Sequence, residues 1–238
     1  MGDHIVKSYD RVLENLGSKI SEMGGLAEKI LTDAMTALSN LDAEFAETVI
    51  CYDKRLDVLQ KEIEEQAILT IARRQPIAID LRECIAAMRI AADIERIGDL
   101  AKNIARRTTI ISSENPASRA IVGLRAMQEI AANQLKECLD AYAQKDLEKA
   151  RQIAESDLQL DALEDSVFRD LLTFMMEDPR NISFCTHLLF CSKNLERIGD
   201  HTTNIAETII YLITGEMPVQ ERSKYDRPAM GSLSEGLN

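Results

Sequence analysis

The sequence has no tryptophan, and aromatic residues make up only 4% of its 238 positions. Hydrophobic residues still account for 45% of the chain, so a core has to be built mainly from aliphatic side chains and alanine. Proline is scarce as well, with 5 residues, and the apolar patterns run uninterrupted between them. Because Ala, Leu, Ile, Glu and Met dominate, the composition favours helices and predicts an all-α fold class.

Positive charge is in deficit, since 28 Lys and Arg face 40 Asp and Glu and leave a net charge of −12. A basic stripe is the usual footprint of a nucleic-acid-binding protein, so nucleic acid is not an expected partner. The same deficit argues against electrostatic attachment to anionic lipid. An acidic surface suits cations or the basic patches of other proteins.

The chain also lacks a CxxC pair, a signal peptide and any apolar run long enough to span a bilayer. We therefore expect a cytoplasmic protein with no direct membrane insertion, whose 5 cysteines are reduced thiols. Two of them, Cys138 and Cys191, fall on apolar helix stripes and are predicted to be small core residues.

One stretch occurs twice. The sequence ERIGD stands at 95–99 and again at 196–200, and each copy is followed by NIA, at 103–105 and 204–206. Eight matching positions within one chain indicate a duplication. Apolar residues around both copies alternate at spacings of three and four in the same register, which is typical of a long helix in a bundle.

Six helices are predicted in two sets of three. The first three run from about 8 to 39, from a cap at Asp42 to before Gln75, and from after Pro76 to about Ser112. The second three open at Asn115, Asp146 and Asp178, and the last ends at Gly215. The short connections indicate antiparallel neighbours.

The predicted architecture is two tandem, pseudo-symmetric three-helix bundles. The first occupies residues 1–114 and the second residues 115–215, and residues 216–238 form a disordered tail because they lack apolar periodicity. Gly98 and Gly199 are costly inside a helix, and they indicate either close helix packing or backbone access for a ligand or partner.

Acidic pairs one helical turn apart recur at matched positions of both repeats. The pairs are Asp53 and Asp57, Glu95 and Asp99, Asp157 and Asp161, and Glu196 and Asp200. Like charges at this spacing repel by a few tenths of a kcal/mol. One interpretation is a solvated acidic face, and the other is a site for a cation. Oxygen ligands suit magnesium, manganese or iron rather than a structural zinc.

Each predicted metal site draws its ligands from two helices. Asp53 and Asp57 should face Glu95 and Asp99, and Asp157 and Asp161 should face Glu196 and Asp200, because these positions border the groove between antiparallel neighbours. Arg96 and Arg197 are either ion-pair partners of these acids or docking contacts. The histidines form no evident triad, and no Glu-x-x-His di-iron element, P-loop, HExxH or GxSxG motif is present.

The duplicated ERIGD-x-x-x-N motif resembles that of the PhoU family. The flanking segments HIV at 4–6, SYD at 8–10, EMG at 22–24, RQP at 74–76 and DLR at 80–82 are similar as well. The resemblance covers about residues 3 to 215. It implies a pair of three-helix bundles, a homodimer, and negative regulation of the phosphate-starvation (Pho) response and of phosphate uptake.

The resemblance also implies partners and a cofactor. Family members are thought to link the ATPase subunit of the phosphate ABC transporter with a membrane sensor histidine kinase, and no enzymatic activity is expected. Some bind iron or other divalent or trivalent metal ions through E/DxxxD motifs, which match the four acidic pairs here, with Asn103 and Asn204 as adjacent candidates. The rival interpretations are a metal-dependent hydrolase, which would need a substrate pocket beside the acids, and a purely structural helical scaffold.

Overall fold

The structure is a computed structural model that describes residues 2–113, 121–155 and 158–218. All regular secondary structure within these ranges is helical, which confirms the all-α fold class. The helices are α1 (Gly2–Asn40), α2 (Ala43–Arg74), α3 (Ile79–Ile111), α4 (Val122–Gln144), α5 (Leu147–Glu155), α6 (Leu158–Glu177) and α7 (Ile182–Thr214), the last preceded by a 3-10 turn at Pro179–Asn181.

Most predicted helix boundaries agree with the structure to within a few residues where it describes them, but α1 begins at Gly2 rather than near residue 8. The Asp42 carboxylate accepts a hydrogen bond from the Phe45 backbone N–H at 2.9 Å and caps α2. Asp146 caps α5 in the same way, through the Lys149 N–H at 3.1 Å. Gly215 ends α7 with φ of +83°, in the left-handed region that glycine tolerates. The predicted cap at Asn115 lies outside the described residues.

The predicted fifth helix corresponds to α5 and α6, which lie on either side of residues 156–157. The apolar positions predicted for it lie in the core: Ile153, Leu160 and Val167 are buried, and Leu163 is partly buried against the core. Burial thus follows the predicted periodicity through both described parts.

Helices α1, α2 and α3 pack against one another, and α4, α5 and α6 pack against α7, which gives the two predicted three-helix bundles. The bundles are joined where α3 packs along α7 and α1 packs against α4. One hydrophobic cluster runs through both bundles without interruption. The boundary near residues 114–115 lies outside the described residues and stays a prediction, as does the disordered tail, of which 219–238 is undescribed.

Helices α3 and α7 run antiparallel, so residues near the end of α3 contact residues near the start of α7, and the reverse. Arg107 lies over the ring of Phe190 at 4.4 Å, and Arg89 lies over the ring of Tyr211 at 5.5 Å. Because the two helices carry the two copies of the repeat, this crossing relates the copies by a pseudo-twofold axis.

None of the described helices is both long and apolar enough to cross a membrane.

Candidate functional site

Two adjacent helices bring four carboxylates together. Asp53 and Asp57 lie on α2, and Glu95 and Asp99 lie on α3. Burial raises the pKa of Glu95, and the negative charges of Asp99, Asp57 and Asp53 raise it further, while Arg96 opposes the shift. All three aspartates are therefore close enough to act on Glu95. We call Asp53, Asp57, Glu95 and Asp99 the first carboxylate cluster.

The glycine of the first motif explains how closely these helices approach. A Cβ atom added at Gly98 would lie 2.2 Å from Cδ1 of Leu56, which is fully buried on α2. Close helix packing therefore accounts for this glycine, and it holds the acids on the two helices within reach of one another.

The cluster contains a residue that the sequence patterns did not single out. The Lys102 ammonium donates a hydrogen bond to Asp53 on α2 and another, at 2.5 Å, to Asp99 on α3. The Lys102 side chain is only 12% exposed. Burial alone would lower the pKa of Lys102, but the hydrogen bonds to Asp53 and Asp99 outweigh it and raise the pKa. The sequence signal for Lys102 was its position one turn after Asp99.

The acids of the cluster are not fully paired with cations or hydrogen-bond donors among the described residues. Asp53 is 7% exposed, and its Oδ1 atom is buried without a hydrogen-bond partner among the described residues. Arg96 lies 3.4 Å from Asp99 and 3.6 Å from Glu95, but its side chain is 63% exposed. Arg96 is thus an ion-pair partner at the rim of the cluster, where water screens it.

Asn103 and Asn204, the adjacent candidates, make other contacts. Asn103 accepts a hydrogen bond from Arg106 at 3.3 Å on its own helix. The Asn204 amide nitrogen lies 3.5 Å from Asp93 of α3, and His201 Nδ1 lies 2.9 Å from the same Asp93 oxygen. Asn204 and His201 therefore belong to a contact between the two bundles.

The described acids of the second repeat lie on α6 and α7. Glu196 on α7 accepts a hydrogen bond from Lys193 at 2.6 Å through Oε1, while its Oε2 is buried without a hydrogen-bond partner among the described residues. Asp200 is half-buried one turn further along, and Asp161 on α6 is exposed. Asp157 lies outside the described residues. We call Glu196, Asp200 and Asp161 the second carboxylate group.

The PhoU domain model matches the chain twice, over residues 20–108 and 124–209. The chain belongs to the PhoU family. Each match contains one copy of the ERIGD motif, on α3 and on α7. The resemblance seen in the motif residues is thereby confirmed.

Relatives in the PhoU family match almost end to end. The phosphate-specific transport system accessory protein PhoU homolog of Rhizobium meliloti (strain 1021) is 52% identical over 233 residues, which is 98% of each chain. The protein of the same name from Caulobacter vibrioides (strain NA1000 / CB15N) is 45% identical over 226 residues, covering 95% of this chain and 98% of its own.

Two crystal structures share the fold. PhoU from Pseudomonas aeruginosa superposes with a TM-score of 0.83 at 38% identity, over 87% of this chain and all of its own. The phosphate transport system regulatory protein PhoU from Streptococcus pneumoniae gives a TM-score of 0.81 at 29% identity, over 88% and 98%.

The metal ions expected from the family fit the described residues only in part. Within 2–113, 121–155 and 158–218, no three His, Cys, Asp or Glu side chains are placed to hold a metal ion together. In the first carboxylate cluster, Lys102 bonds to the acids that a bridging metal would use. In the second group, the buried Glu196 oxygen is suited to a cation, but Asp157, its predicted partner, is undescribed. Metal binding stays a prediction for both.

Proposed function

We propose that this chain regulates phosphate transport, as a non-enzymatic adaptor in the cytoplasm. In this role it connects the ATPase subunit of the phosphate ABC transporter with the membrane sensor histidine kinase. With phosphate abundant, it favours the signalling-off state of the kinase, and so represses the phosphate-starvation response, and it restrains uptake by the transporter. The active form is a homodimer.

The observation that supports this proposal is the similarity to the Rhizobium meliloti accessory protein over 98% of both chains. Identity of 52% across the whole length makes a shared role in phosphate transport regulation the best-supported function. The net charge of the chain, −12, favours binding to basic patches on partner proteins.

An adaptor of this kind has to discriminate between states of its partners. A protein that binds both states of the kinase equally shifts nothing, however tightly it binds. The proposal therefore requires tighter binding to the signalling-off state, and it requires the transporter to change that binding when phosphate is present.

Co-purification tests the adaptor directly. Tagged chain is mixed with the purified ATPase subunit and with the kinase in detergent, with and without Mn²⁺, and kinase autophosphorylation is then followed in vesicles that also hold the transporter and phosphate. We expect both partners to be retained and autophosphorylation to fall when the chain is added. Retention of neither partner, or autophosphorylation that ignores the chain, would contradict the proposal.

Metal binding by the two acidic surfaces is the second part of the proposal. A bound cation would relieve the repulsion between their carboxylates, and Mn²⁺, Mg²⁺ or anaerobic Fe²⁺ should then raise the melting temperature relative to chelator. Glu196→Gln with Asp200→Asn should remove the part of this metal-dependent rise in melting temperature that comes from the second group. Glu95→Gln with Asp99→Asn should remove the part that comes from the first cluster.

These melts need a control variant that changes the net charge by the same amount away from the two acidic surfaces. Glu47→Gln with Glu148→Gln removes the same two negative charges from exposed positions and should leave the metal response unchanged. If no ion shifts the wild-type melt, both surfaces are solvated acidic faces, and the adaptor proposal is untouched because it rests on partner binding.

A hydrolase would need a substrate pocket beside the acids. A described cavity of about 370 Å³ lies between α1 and α2, and none of the candidate acids lines it. We expect no saturable activity toward phosphate esters from metal-loaded protein, and activity that Asp99→Ala abolishes would favour the enzyme.

A further inference from the structure

The first carboxylate cluster contains a cation that belongs to the chain itself. Lys102 bonds to Asp53 of α2 and to Asp99 of α3, so it connects the same two helices that a bridging metal ion would connect. Its side chain is 12% exposed, in contrast to Arg96 at the rim. Of the two cations paired with the described acids of this cluster, Lys102 is thus the buried one.

One lysine does not neutralise the cluster. Of its four carboxylates, Lys102 bonds to only two, Asp53 and Asp99. In addition, Oδ1 of the buried Asp53 has no hydrogen-bond partner among the described residues, although Oδ2 bonds Lys102. The unsatisfied oxygen points to a cluster that would take more positive charge than Lys102 supplies.

The second repeat differs at this position. With ERIGD aligned, Lys102 corresponds to Thr203, which is buried on α7. The lysine that pairs with Glu196 is Lys193, which precedes the motif and is half-exposed. The two halves therefore share their acids and differ in where their lysines lie.

We propose that Lys102 is the resident cation of the first carboxylate cluster, where it competes with a metal ion for Asp53 and Asp99. The first cluster in the native chain then responds weakly to divalent metal, and any strong response comes from the second group. Replacing Lys102 converts the first cluster into a divalent metal site. This inference rests on the metal part of the proposed function and not on the adaptor part.

The test replaces Lys102 with the residue of the other repeat. Lys102→Thr and wild type are melted with excess chelator and with Mn²⁺, and Mn²⁺ binding is measured by electron paramagnetic resonance. We expect the variant to melt below wild type in chelator, since it loses the cation among four acids. We expect its Mn²⁺ affinity to be at least tenfold higher and its metal-dependent shift larger than in wild type. Adding Glu95→Gln and Asp99→Asn should abolish this gain.

Lys19→Thr is the matched control. Lys19 is also a partly buried lysine that joins two helices, through Glu62 at 2.9 Å, but it contacts one carboxylate rather than a cluster. The control should lose some stability and gain no Mn²⁺ affinity. A gain in Mn²⁺ affinity of similar size in Lys19→Thr, or no gain in Lys102→Thr, would overturn the proposal that Lys102 competes with a metal ion.

Lys102→Met keeps the test decisive if the threonine variant does not fold. Methionine preserves the length and packing of the side chain and removes only the charge. Equal, non-zero Mn²⁺ shifts in wild type and Lys102→Met would overturn the role of Lys102 while leaving metal binding in place. No shift in any protein would overturn both, whereas the co-purification result would stand independently.

Discussion

At Glu95, burial and three neighbouring carboxylates act on one side chain in the same direction. Its pKa in the folded chain is raised above the ordinary value of 4.5. A carboxyl with a raised folded-state pKa binds its proton more tightly in the folded state, so its ionisation destabilises the fold. This penalty is present above the folded pKa, and it is relieved as the pH falls through that value toward 4.5.

Glu95→Gln should therefore stabilise the protein at neutral pH. We expect a gain of a few tenths of a kcal/mol, or about 1 °C in melting temperature, from the like-charge repulsion removed. The gain over wild type should shrink as the pH is lowered toward 4.5. Melts of both proteins between pH 4 and 8, with the exposed Glu148→Gln as control, check this; a gain that does not depend on pH would contradict it.

The five thiols differ in exposure. Cys51 is exposed, while Cys84, Cys138, Cys185 and Cys191 are buried, which confirms the core positions predicted for Cys138 and Cys191. Burial raises the pKa of Cys191 to about 12 and also raises that of Cys138, so neither forms the reactive thiolate at neutral pH.

Iodoacetamide should consequently modify one thiol in the folded protein and all five in guanidinium chloride. Intact-mass measurement after short exposure at pH 8 counts the modified thiols. Cys51→Ser should abolish the folded-state modification. Rapid labelling of two or more thiols in the folded protein would be inconsistent with the buried positions.

Residue roles could be predicted where the repeat supplied them and not otherwise. Both ERIGD motifs marked Glu95, Asp99, Glu196 and Asp200 at once. The role of Lys102 could not be predicted from the repeat, because it depends on the rotation of α2 that brings Asp53 into contact with Lys102. The spacing of residues along one helix does not show which side chain of a neighbouring helix lies opposite. The contact of Asn204 could not be predicted for the same reason, since its partner Asp93 is 111 residues away.

Among the elements, the α2–α3 pair depends on Gly98. Alanine would favour the helix by up to about 1 kcal/mol relative to glycine. Its Cβ would, however, lie 2.2 Å from a methyl of the buried Leu56, and overpacking of this kind costs roughly 1–3 kcal/mol.

Gly98→Ala should lower stability by about 1–2 kcal/mol, which is roughly 2–8 °C in melting temperature. In a Leu56→Ala background the same change should be neutral or stabilising, and a double-mutant cycle measures the coupling. Gly25→Ala is the control, because nothing lies within 4 Å of the added Cβ and the change should stabilise α1. A Gly98→Ala protein as stable as wild type would disprove the contact.

Helix positions and faces followed from apolar periodicity, because one stripe of each helix is buried. Ile94, Ile97 and Ile104 on α3 are fully buried, as are Leu195, Ile198 and Ile205 on α7. Sequence could not choose between close packing and ligand access for Gly98, since that choice depends on which residue of the neighbouring helix lies opposite.

The whole molecule is held by one continuous core. The three-helix bundles share a single hydrophobic cluster, and α3 packs along α7 for much of its length. The duplication predicts the two tandem bundles, but the contact between them depends on long-range packing, which a repeat pattern does not report.

We therefore expect the described helices to unfold as a unit. Ile94→Ala in the first bundle and Leu195→Ala in the second occupy matched, fully buried positions. Each should cost about 2–5 kcal/mol and shift a single calorimetric transition downward as a whole. Splitting of the transition by either variant would indicate that the bundles unfold independently.

The antiparallel crossing of α3 and α7 has the geometry of an isologous dimer built within one chain. In a true homodimer every contact across a twofold axis occurs twice, so each change in sequence changes both copies. Covalent linkage removes that constraint and also keeps the two surfaces at high effective concentration. Asp93 can then pair with His201 on one side, while the corresponding positions hold Asn194 and Leu100 on the other. Fusion thus allows the two halves to specialise without losing the interface that joins them.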